Sequence, residues 1–222
     1  MRVRAYPAVR TYAGGRVTRT RSAMPRPADP ARKTALLDSV VDYLVDHGLA
    51  TLSMRPLAKE LGQSTRVLTH HFADKADLLA ATLTRLDERQ REWLAGLPGA
   101  DGEMGMGEVV RATWEYHLTP EHLPLTRLIH EIEGLAAGDR LGGATSRLLA
   151  DRVEFVAGWF RDRGVPAEAA TDYATLLNAA FAGLQIDMLN TGDRERTTAA
   201  AHRLADLADG WVAAHAGARE EA

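Results

Sequence analysis

The chain has 222 residues, 45% of them hydrophobic, and a net charge of −3 from 27 basic and 30 acidic residues. A chain of this size and composition can bury a substantial core. It contains no cysteine, which excludes disulfides and thiolate metal sites and agrees with a cytoplasmic location. No run approaches the roughly 18 apolar residues of a membrane-spanning helix, so no membrane partner is expected.

The first 28 residues hold seven arginines with Pro and Gly and show no periodicity, so we interpret residues 1–28 as a disordered basic extension. Two hypotheses stay open for this extension. It is a basic arm that grips phosphate or a minor groove, or it is not normally translated because Met24 is the true start. Without the six arginines before Met24, residues 24–222 carry a charge of −9 (−3 − 6), so any affinity for nucleic acid must come from a local patch.

Apolar residues recur at helical spacing from Ala31 to His47, which predicts a first helix that ends at Gly48. Two short helices follow between Ser53 and Lys75. Ser53 is the expected N-cap of the first of them, and Gly62 is expected to end it in a left-handed conformation.

Ser64 is the expected N-cap of the second short helix. This helix is expected to bury Val67, Leu68 and Phe72 and to expose a polar face. That face consists of Thr65, Arg66, Thr69 and His70. Two short helices with this arrangement form a helix-turn-helix, a motif that places its second helix in the major groove of DNA.

The segment from about Ala31 to Leu79 resembles the N-terminal domain of the TetR family of transcriptional regulators. The matching residues are Gly48, Ser53, Ala58, Leu61, Gly62, Ser64, Leu68, His71, Phe72, Lys75, Leu78 and Leu79. The resemblance covers about a quarter of the chain and continues without gaps. It implies an N-terminal three-helix DNA-binding domain, at residues 29–75, followed by a C-terminal helical domain for ligand binding and dimerisation.

The resemblance also implies the roles of individual residues. Ser53 and Arg55 would approach phosphates, and Lys75 would meet the DNA backbone. The residues expected at the major groove are Thr65, Arg66, Thr69 and His70, and Ser64 is also expected to contact DNA. Arg66 stands where the family usually has glycine, and it would contact either guanine or a phosphate. Thr69 stands where the family usually has an aromatic residue, so His70 would supply that phosphate contact, whereas His71 is interpreted as packed.

The rest of the chain is predicted to be helical. Asp74 is expected to cap a long helix to about Ala95, with Leu79, Leu83, Leu86 and Trp93 as its buried stripe. Further helices are predicted over residues 108–118, 121–137 with a break at Pro124, 144–163, 167–190 and 194–214. The predicted fold class is therefore all-α, with a regulatory and dimerisation domain at 76–215 and a flexible tail at 216–222.

Two kinds of site are expected in the C-terminal domain. A small-molecule pocket is predicted among its first helices, although aromatic residues at helical spacing are also typical of core. Its candidate lining residues are Trp93, Trp114, His117, Leu128, His130, Glu131, Phe155 and Trp159. Helices 144–163 and 167–190 are predicted to pair with those of a second copy in a four-helix bundle, the alternative being that both are core of a monomer. The candidate interface residues are Val156, Phe160, Tyr173, Leu177, Ala180, Phe181 and Leu184.

Catalytic and metal motifs are incomplete. His130 and Glu131 begin like a zinc-protease His-Glu-x-x-His motif, but Gly134 stands where the second histidine belongs. No enzyme, metal or cofactor is therefore predicted. The leading hypothesis is a homodimeric, ligand-responsive repressor that binds a palindromic operator in double-stranded DNA. The alternative is a small-molecule or protein-binding sensor with weak or architectural DNA binding.

Overall fold

The computed structural model of the protein describes residues 30–50, 52–100, 103–141 and 146–216, with backbone only at 30, 146–149 and 216. Within these ranges the chain forms helices and turns and no strand, which confirms the predicted all-α fold class. None of the described helices combines the length and the apolar character that crossing a bilayer requires. The predicted extension at 1–28, with Met24, and residues 217–222 of the predicted tail lie outside the described residues.

The bounds of the nine described helices lie close to the predicted ones. They are α1 (Pro30–His47), α2 (Met54–Glu60), α3 (Thr65–His71), α4 (Lys75–Ala95), α5 (Met106–Leu118), α6 (Leu123–Ala137), α7 (Ser146–Asp162), α8 (Ala167–Thr191) and α9 (Arg194–Ala216). The predicted break at Pro124 is wrong, because α6 begins at Leu123 and Pro124 occupies its second position. Proline is tolerated there since the first turn of a helix leaves its N–H groups without helical partners.

The helix ends follow the expected local chemistry with one exception. Gly48 and Gly62 have φ values of 72° and 61°, the left-handed conformation that ends α1 and α2. The Ser64 side chain accepts a hydrogen bond from Val67 N at 3.3 Å and so caps α3. Ser53 precedes α2 in an extended conformation, but its side chain makes no capping hydrogen bond.

A first hydrophobic core joins α1, α2, α3, the start of α4, and α6. Its fully buried side chains from the N-terminal helices include Val40, Val41, Leu44, Leu57, Leu68, Phe72, Leu79 and Leu83. Leu128 and Ile132 of α6 belong to the same cluster. The core therefore crosses the predicted division at residues 75 and 76, and α6 packs directly on the N-terminal helices.

The predicted buried stripe of α4 is correct at Leu79, Leu83 and Leu86 but wrong at Trp93. Trp93 is half-buried and packs on the ring of Tyr116, with the ring centroids 4.3 Å apart. Leu94 takes the buried position instead. The helix has a second partner, α5, at this end, and that contact is not visible in the periodicity of α4.

A second hydrophobic core joins α5, α7, α8 and α9 around Phe160, Ala174 and Ala205. Gly107 lets α5 approach α9 closely: its N–H donates to Asp209 Oδ1 at 2.7 Å. A Cβ at this position would overlap the Asp209 carboxylate and lie 2.8 Å from the carbonyl oxygen of Ala205. The glycine is therefore required by the α5–α9 contact.

We expect Gly107→Ala to lower the free energy of unfolding by about 1–3 kcal/mol, because the added methyl group overpacks the α5–α9 contact. Chemical denaturation would measure the change. Gly134→Ala in α6 is the matched control, since a Cβ there meets nothing within 4 Å. Alanine at this helical position should stabilise by about 0.5–1 kcal/mol. Equal effects of the two substitutions would contradict the role assigned to Gly107.

Candidate functional site

A helix-turn-helix is formed by α2, the turn around Gly62, and α3. The turn is closed by backbone hydrogen bonds from Gly62 N to Lys59 O at 3.1 Å and from Gln63 N to Ala58 O at 2.8 Å. Leu68 is fully buried under α3, and Phe72 directly after it is 1% exposed. Both belong to the same core as Leu57 of α2, so α3 is fixed to the body of the domain and its opposite face is free.

The outer face of α3 carries the residues that the sequence predicts to meet the major groove. Arg66, Thr69 and His70 are exposed, and Thr65 is half-buried. Thr69 donates its hydroxyl hydrogen to the carbonyl oxygen of Arg66 at 3.3 Å. Within the described part of the chain, the Arg66 guanidinium has no ion-pair partner, so it is available to a ligand. Val67, predicted to be buried, is only half-buried.

The three residues predicted to meet the DNA backbone are also exposed. Ser53 and Arg55 lie at the start of α2, and the hydroxyl of Ser53 is not used for capping. Lys75 lies at the first position of α4, where its Nζ donates to the carbonyl oxygen of Leu49 at 3.4 Å. A phosphate contact by Lys75 would therefore replace or share this weak hydrogen bond.

Positive charge from α1 also reaches this region, which motif spacing alone did not predict. Burial lowers the pKa of His71, and the charges of His70, Lys33 and Arg32 lower it further. Lys33 Nζ lies 5.9 Å from the centre of the Phe72 ring. The half-buried ring of His71 therefore disfavours protonation. The neighbouring His70 is exposed.

The second candidate site is a cavity of about 140 Å³ that is lined by α4, α5, α6, α7 and α8 and is partly open to solvent. Four predicted pocket residues line it: His117, His130, Phe155 and Trp159. Its other apolar lining includes Leu94, Met106, Val109, Val110, Ile129, Val156, Leu177 and Phe181. The described helices therefore place the cavity near the predicted position.

The other four predicted pocket residues do not line this cavity. Trp114 is fully buried. Its Nε1 donates a hydrogen bond to Thr198 Oγ1 at 2.9 Å, and its ring contacts the ring of Phe181. Leu128 belongs to the N-terminal core. Glu131 is exposed, and Glu133, two positions further along α6, faces the cavity instead. Trp93 packs on Tyr116 outside it.

A chain of ion pairs crosses one wall of the cavity and joins three helices. Arg152 of α7 contacts Asp87 of α4 at 2.8 Å and Glu133 of α6 at 2.5 Å. Burial alone would lower the pKa of Arg152, but the two carboxylates raise it. Burial alone would raise the pKa of Glu133, but its hydrogen bonds with His130 and Arg152 lower it. These side chains are therefore charged and mutually compensated.

The two histidines of the cavity differ in their surroundings. His117 is buried and its Nδ1 lies 2.9 Å from Thr126 Oγ1. Burial is the main cause that lowers the pKa of His117 to about 3, so the ring is neutral at physiological pH. His130 lies between Glu133 Oε2 and Gln185 Oε1, each 3.1 Å from one ring nitrogen.

The structure contradicts the predicted dimer interface at two of its seven residues. Phe160 is 0% exposed and Leu177 is 5% exposed, so both are core of a single chain. Tyr173 stacks on Trp211 of α9 with ring centroids 4.8 Å apart. Val156 and Phe181 line the cavity, and Leu184 is half-buried in the same core. Only Ala180 of the predicted set is exposed.

A different surface carries the exposed large hydrophobic side chains of the described residues. They are Leu176 and Ile186 of α8, exposed at 57% and 45%, and Leu207 of α9, exposed at 56%. Small exposed residues lie between them on α8, namely Ala179, Ala180 and Gly183. The predicted bundle of helices 144–163 and 167–190 from two copies stays a prediction; within one chain α7 packs on α8, and the exposed large hydrophobic side chains lie on α8 and α9. The side chains of Leu148 and Leu149 on α7 lie outside the described residues.

Comparison with known proteins agrees with the motif. The model of the bacterial regulatory proteins of the tetR family matches residues 36–82. The transcriptional regulator BetI of Klebsiella pneumoniae (strain 342) is 30% identical over 63 residues, which are 28% of this chain and 32% of BetI. BetI of Agrobacterium fabrum (strain C58) is 32% identical over 75 residues, 33% of this chain and 36% of that protein. The chain thus spans about a third of the length of the curated relatives it matches.

Solved structures are similar over most of the chain. The multidrug binding protein EbrR complexed with imidazole is 28% identical, with a TM-score of 0.62 over 82% of this chain and 94% of EbrR. BioQ with its double-stranded DNA operator is 23% identical, with a TM-score of 0.53 over 80% of this chain and 98% of BioQ. At this identity the similarity to BioQ shows only that the two chains share a fold. The tetR-family model thus matches the segment that contains the helix-turn-helix, and the chain as a whole is similar in fold to these solved structures.

Proposed function

We propose that the protein is a ligand-responsive repressor that binds a palindromic operator as a homodimer and is released from it by a small molecule. The observation that carries this proposal is the outer face of α3, where the unpaired, exposed Arg66 stands beside Thr69 and His70 on a helix fixed by buried Leu68 and Phe72. An exposed polar face on a rigid helix is what direct contact with base edges requires. BioQ, a protein of this fold, has been solved with its double-stranded DNA operator.

The proposed contacts divide into two kinds. Arg66 donates two hydrogen bonds to guanine O6 and N7, the geometry that a planar guanidinium favours. Thr65, Thr69 and His70 lie beside it on or near the outer face of α3, and the backbone around Ser64 approaches a phosphate. The predicted phosphate contacts of the flanking helices are Ser53, Arg55 and Lys75.

The proposed homodimer forms through α8 and α9 and leaves α7 inside each subunit. These helices are joined at Gly192 and Asp193, so they run antiparallel. Leu176 lies 16 residues before Gly192 and Leu207 lies 15 residues after it, which places them at one level of the pair. Exposed leucines beside alanine and glycine favour close packing against the same surface of a second copy.

Ligand release is proposed to act through α4. This helix carries Arg85, which contacts Asp38 of α1 at 2.9 Å, and Asp87, which contacts Arg152 on the cavity wall. One turn of α4 therefore contacts both α1 of the DNA-binding domain, through Arg85, and the cavity wall, through Asp87. A ligand that fits the cavity better when α4 is displaced would shift the population away from the DNA-binding state by its difference in affinity. EbrR, a protein of similar fold, is a multidrug binding protein.

The test is selection of bound sequences from random DNA duplexes by the full chain at about 0.15 M salt. The proposal predicts recovery of an inverted repeat with half-sites about one helical turn or a multiple apart. It also predicts that affinity falls as salt rises, because phosphate contacts release counterions. Recovery of no preferred sequence would overturn the repressor and favour a sensor with architectural DNA binding.

We expect His70→Ala to lower operator affinity by about 5- to 30-fold, because the exposed imidazole of His70 can donate a hydrogen bond to a phosphate. A surface contact of this kind contributes about 0.5–1 kcal/mol in each of two subunits. His70→Gln keeps a donor and should lose less affinity. Fluorescence anisotropy with a labelled operator would measure both variants, and native affinity in His70→Ala would exclude this role.

A further inference from the structure

Two side-chain amides of α8 leave hydrogen-bond donors unused at the wall of the cavity. Within the described residues, the buried side-chain nitrogens without a partner are Asn178 Nδ2 and Gln185 Nε2. Both residues line the cavity, and Gln185 is only 5% exposed. Residues seven apart lie on the same face of a helix, two turns from each other. A buried donor without a partner is unfavourable, so both amides favour an acceptor from outside the protein.

The orientation of the Gln185 amide makes its nitrogen the free end. Its oxygen Oε1 lies 3.1 Å from His130 Nε2, within hydrogen-bond distance. The other His130 nitrogen lies 3.1 Å from Glu133 Oε2. The oxygen end of the Gln185 amide thus faces His130, and its NH₂ group has no partner among the described residues.

The charged groups of the cavity already have partners, so an ion entering it would find no free counter-charge. Arg152 is held by Asp87 and Glu133, and Arg91 contacts Asp87 Oδ2 at 3.2 Å. The Arg91 guanidinium also lies over the ring of Phe155, 4.9 Å from its centre. Two carboxylates are thus balanced by two guanidinium groups. Burying a further charge without a partner would be strongly unfavourable.

The remaining wall is apolar and aromatic, with Phe155, Trp159 and Phe181 among the lining side chains. The volume of about 140 Å³ is close to that of the engineered cavity of about 150 Å³ that binds benzene. The lining therefore favours a small aromatic body, with its polar group toward α8.

From these observations we propose that the cavity binds an uncharged aromatic molecule bearing a hydrogen-bond acceptor, such as a carbonyl oxygen, which the amides of Asn178 and Gln185 bind. This inference rests on the proposed function, because it names the effector class for the same cavity. In this proposal the two amides of α8 select the ligand, and the ion pairs of Arg152 exclude ionic ligands.

The test compares four probes of similar size on the full chain: acetophenone, isopropylbenzene, benzoate and trimethylanilinium. Isopropylbenzene has the shape of acetophenone without the carbonyl oxygen, and the other two carry a negative and a positive charge. Ligand-observed NMR titration would give the dissociation constants. Acetophenone should bind about tenfold more tightly than isopropylbenzene, the order expected of a hydrogen bond to an otherwise unsatisfied donor. Both charged probes should bind more weakly than acetophenone.

Substitutions that keep the approximate shape of the two amide side chains test whether these amides cause the preference for acetophenone. In the double variant Asn178→Leu, Gln185→Met, the preference for acetophenone over isopropylbenzene should fall to within about twofold while isopropylbenzene still binds. Asn190→Leu, an exposed position on the same helix, is the control that should keep the native preference. If the double variant fails to fold, the ranking of the four probes on the native chain decides alone.

Several results would overturn the ligand class. They are equal or tighter binding of isopropylbenzene to the native chain, tighter binding of a charged probe, no binding of any probe at millimolar concentration, or an unchanged preference in the folded double variant. Operator binding without ligand is measured separately on the same protein. A failed probe series with intact operator binding would contradict only the ligand class, whereas loss of sequence preference would contradict the proposed regulator.

Discussion

Arg66→Ala is expected to lower affinity for the selected operator by roughly 30-fold to 10⁴-fold, because each guanidinium–guanine contact contributes about 1–3 kcal/mol and a dimer makes two. The side chain is exposed on α3 and has no ion-pair partner among the described residues, so its removal leaves the fold intact. Binding to random duplex should fall much less. The measurement is anisotropy with the operator and with a scrambled duplex of equal length.

Arg66→Lys separates the two roles that stay open for this residue. Lysine keeps the charge but cannot match the planar, bidentate geometry of the guanidinium. If Arg66 contacts guanine, the lysine variant keeps its affinity for random DNA and loses discrimination at one base pair in each half-site. If Arg66 contacts only phosphate, lysine restores operator affinity and alanine weakens binding equally on all sequences. Arg127→Ala, exposed on α6, is the control for net charge and should bind the operator normally.

Leu207→Glu is expected to convert the proposed dimer into monomers and to lower operator affinity by about 10²- to 10⁴-fold. Leu207 is 56% exposed on α9, at the level of Leu176 on α8. A carboxylate buried between two copies would lack a partner and strongly disfavour association. Each monomer would then bind a half-site without the effective concentration that a dimer provides.

Sedimentation analysis would give the mass, and circular dichroism would show that the helices remain. Ala150→Glu adds the same charge at an exposed position of α7 and should leave the mass and the operator affinity unchanged. A Leu207→Glu protein that stays dimeric would exclude the α8–α9 surface as the interface. A native chain that is already monomeric would exclude the homodimer itself.

The helix-turn-helix could be predicted closely because its information is local. The left-handed glycines at 48 and 62, the cap at Ser64, and the buried Leu68 and Phe72 are each visible in a few neighbouring residues. The same holds for most helix ends. The role of each exposed side chain on DNA stays a prediction, because exposure alone does not show what a side chain contacts.

The cavity could be predicted only in part, since helical spacing does not distinguish lining from core. Trp114 and Phe155 follow the same apolar pattern, yet Trp114 is enclosed by α8 and α9 while Phe155 lines the cavity. Glu131 and Glu133 lie on different faces of α6. Which of them faces the cavity depends on where α7 packs, and the sequence alone does not give that position. Asn178 and Gln185 could be found only after their partners were known to be absent from the described fold.

The exposed apolar surface of α8 and α9 could not be predicted for a related reason. Alanines occur all along α8, but Ala170 and Ala174 face the core of the same chain while Ala179 and Ala180 face outward. Composition alone cannot separate these two groups. Phe160 of α7 and Tyr173 of α8, two of the predicted interface residues, instead contact Trp211 of α9 within the chain.

The proposal that a rigid α3 from each of two copies contacts the operator is tested most directly by stoichiometry and affinity on matched duplexes. One duplex carries both selected half-sites, and the other carries one half-site with the second scrambled. The account predicts two chains on the complete site and at least about a hundredfold weaker binding when one half-site is scrambled. One chain per complete site, or equal affinity for the two duplexes, would contradict it.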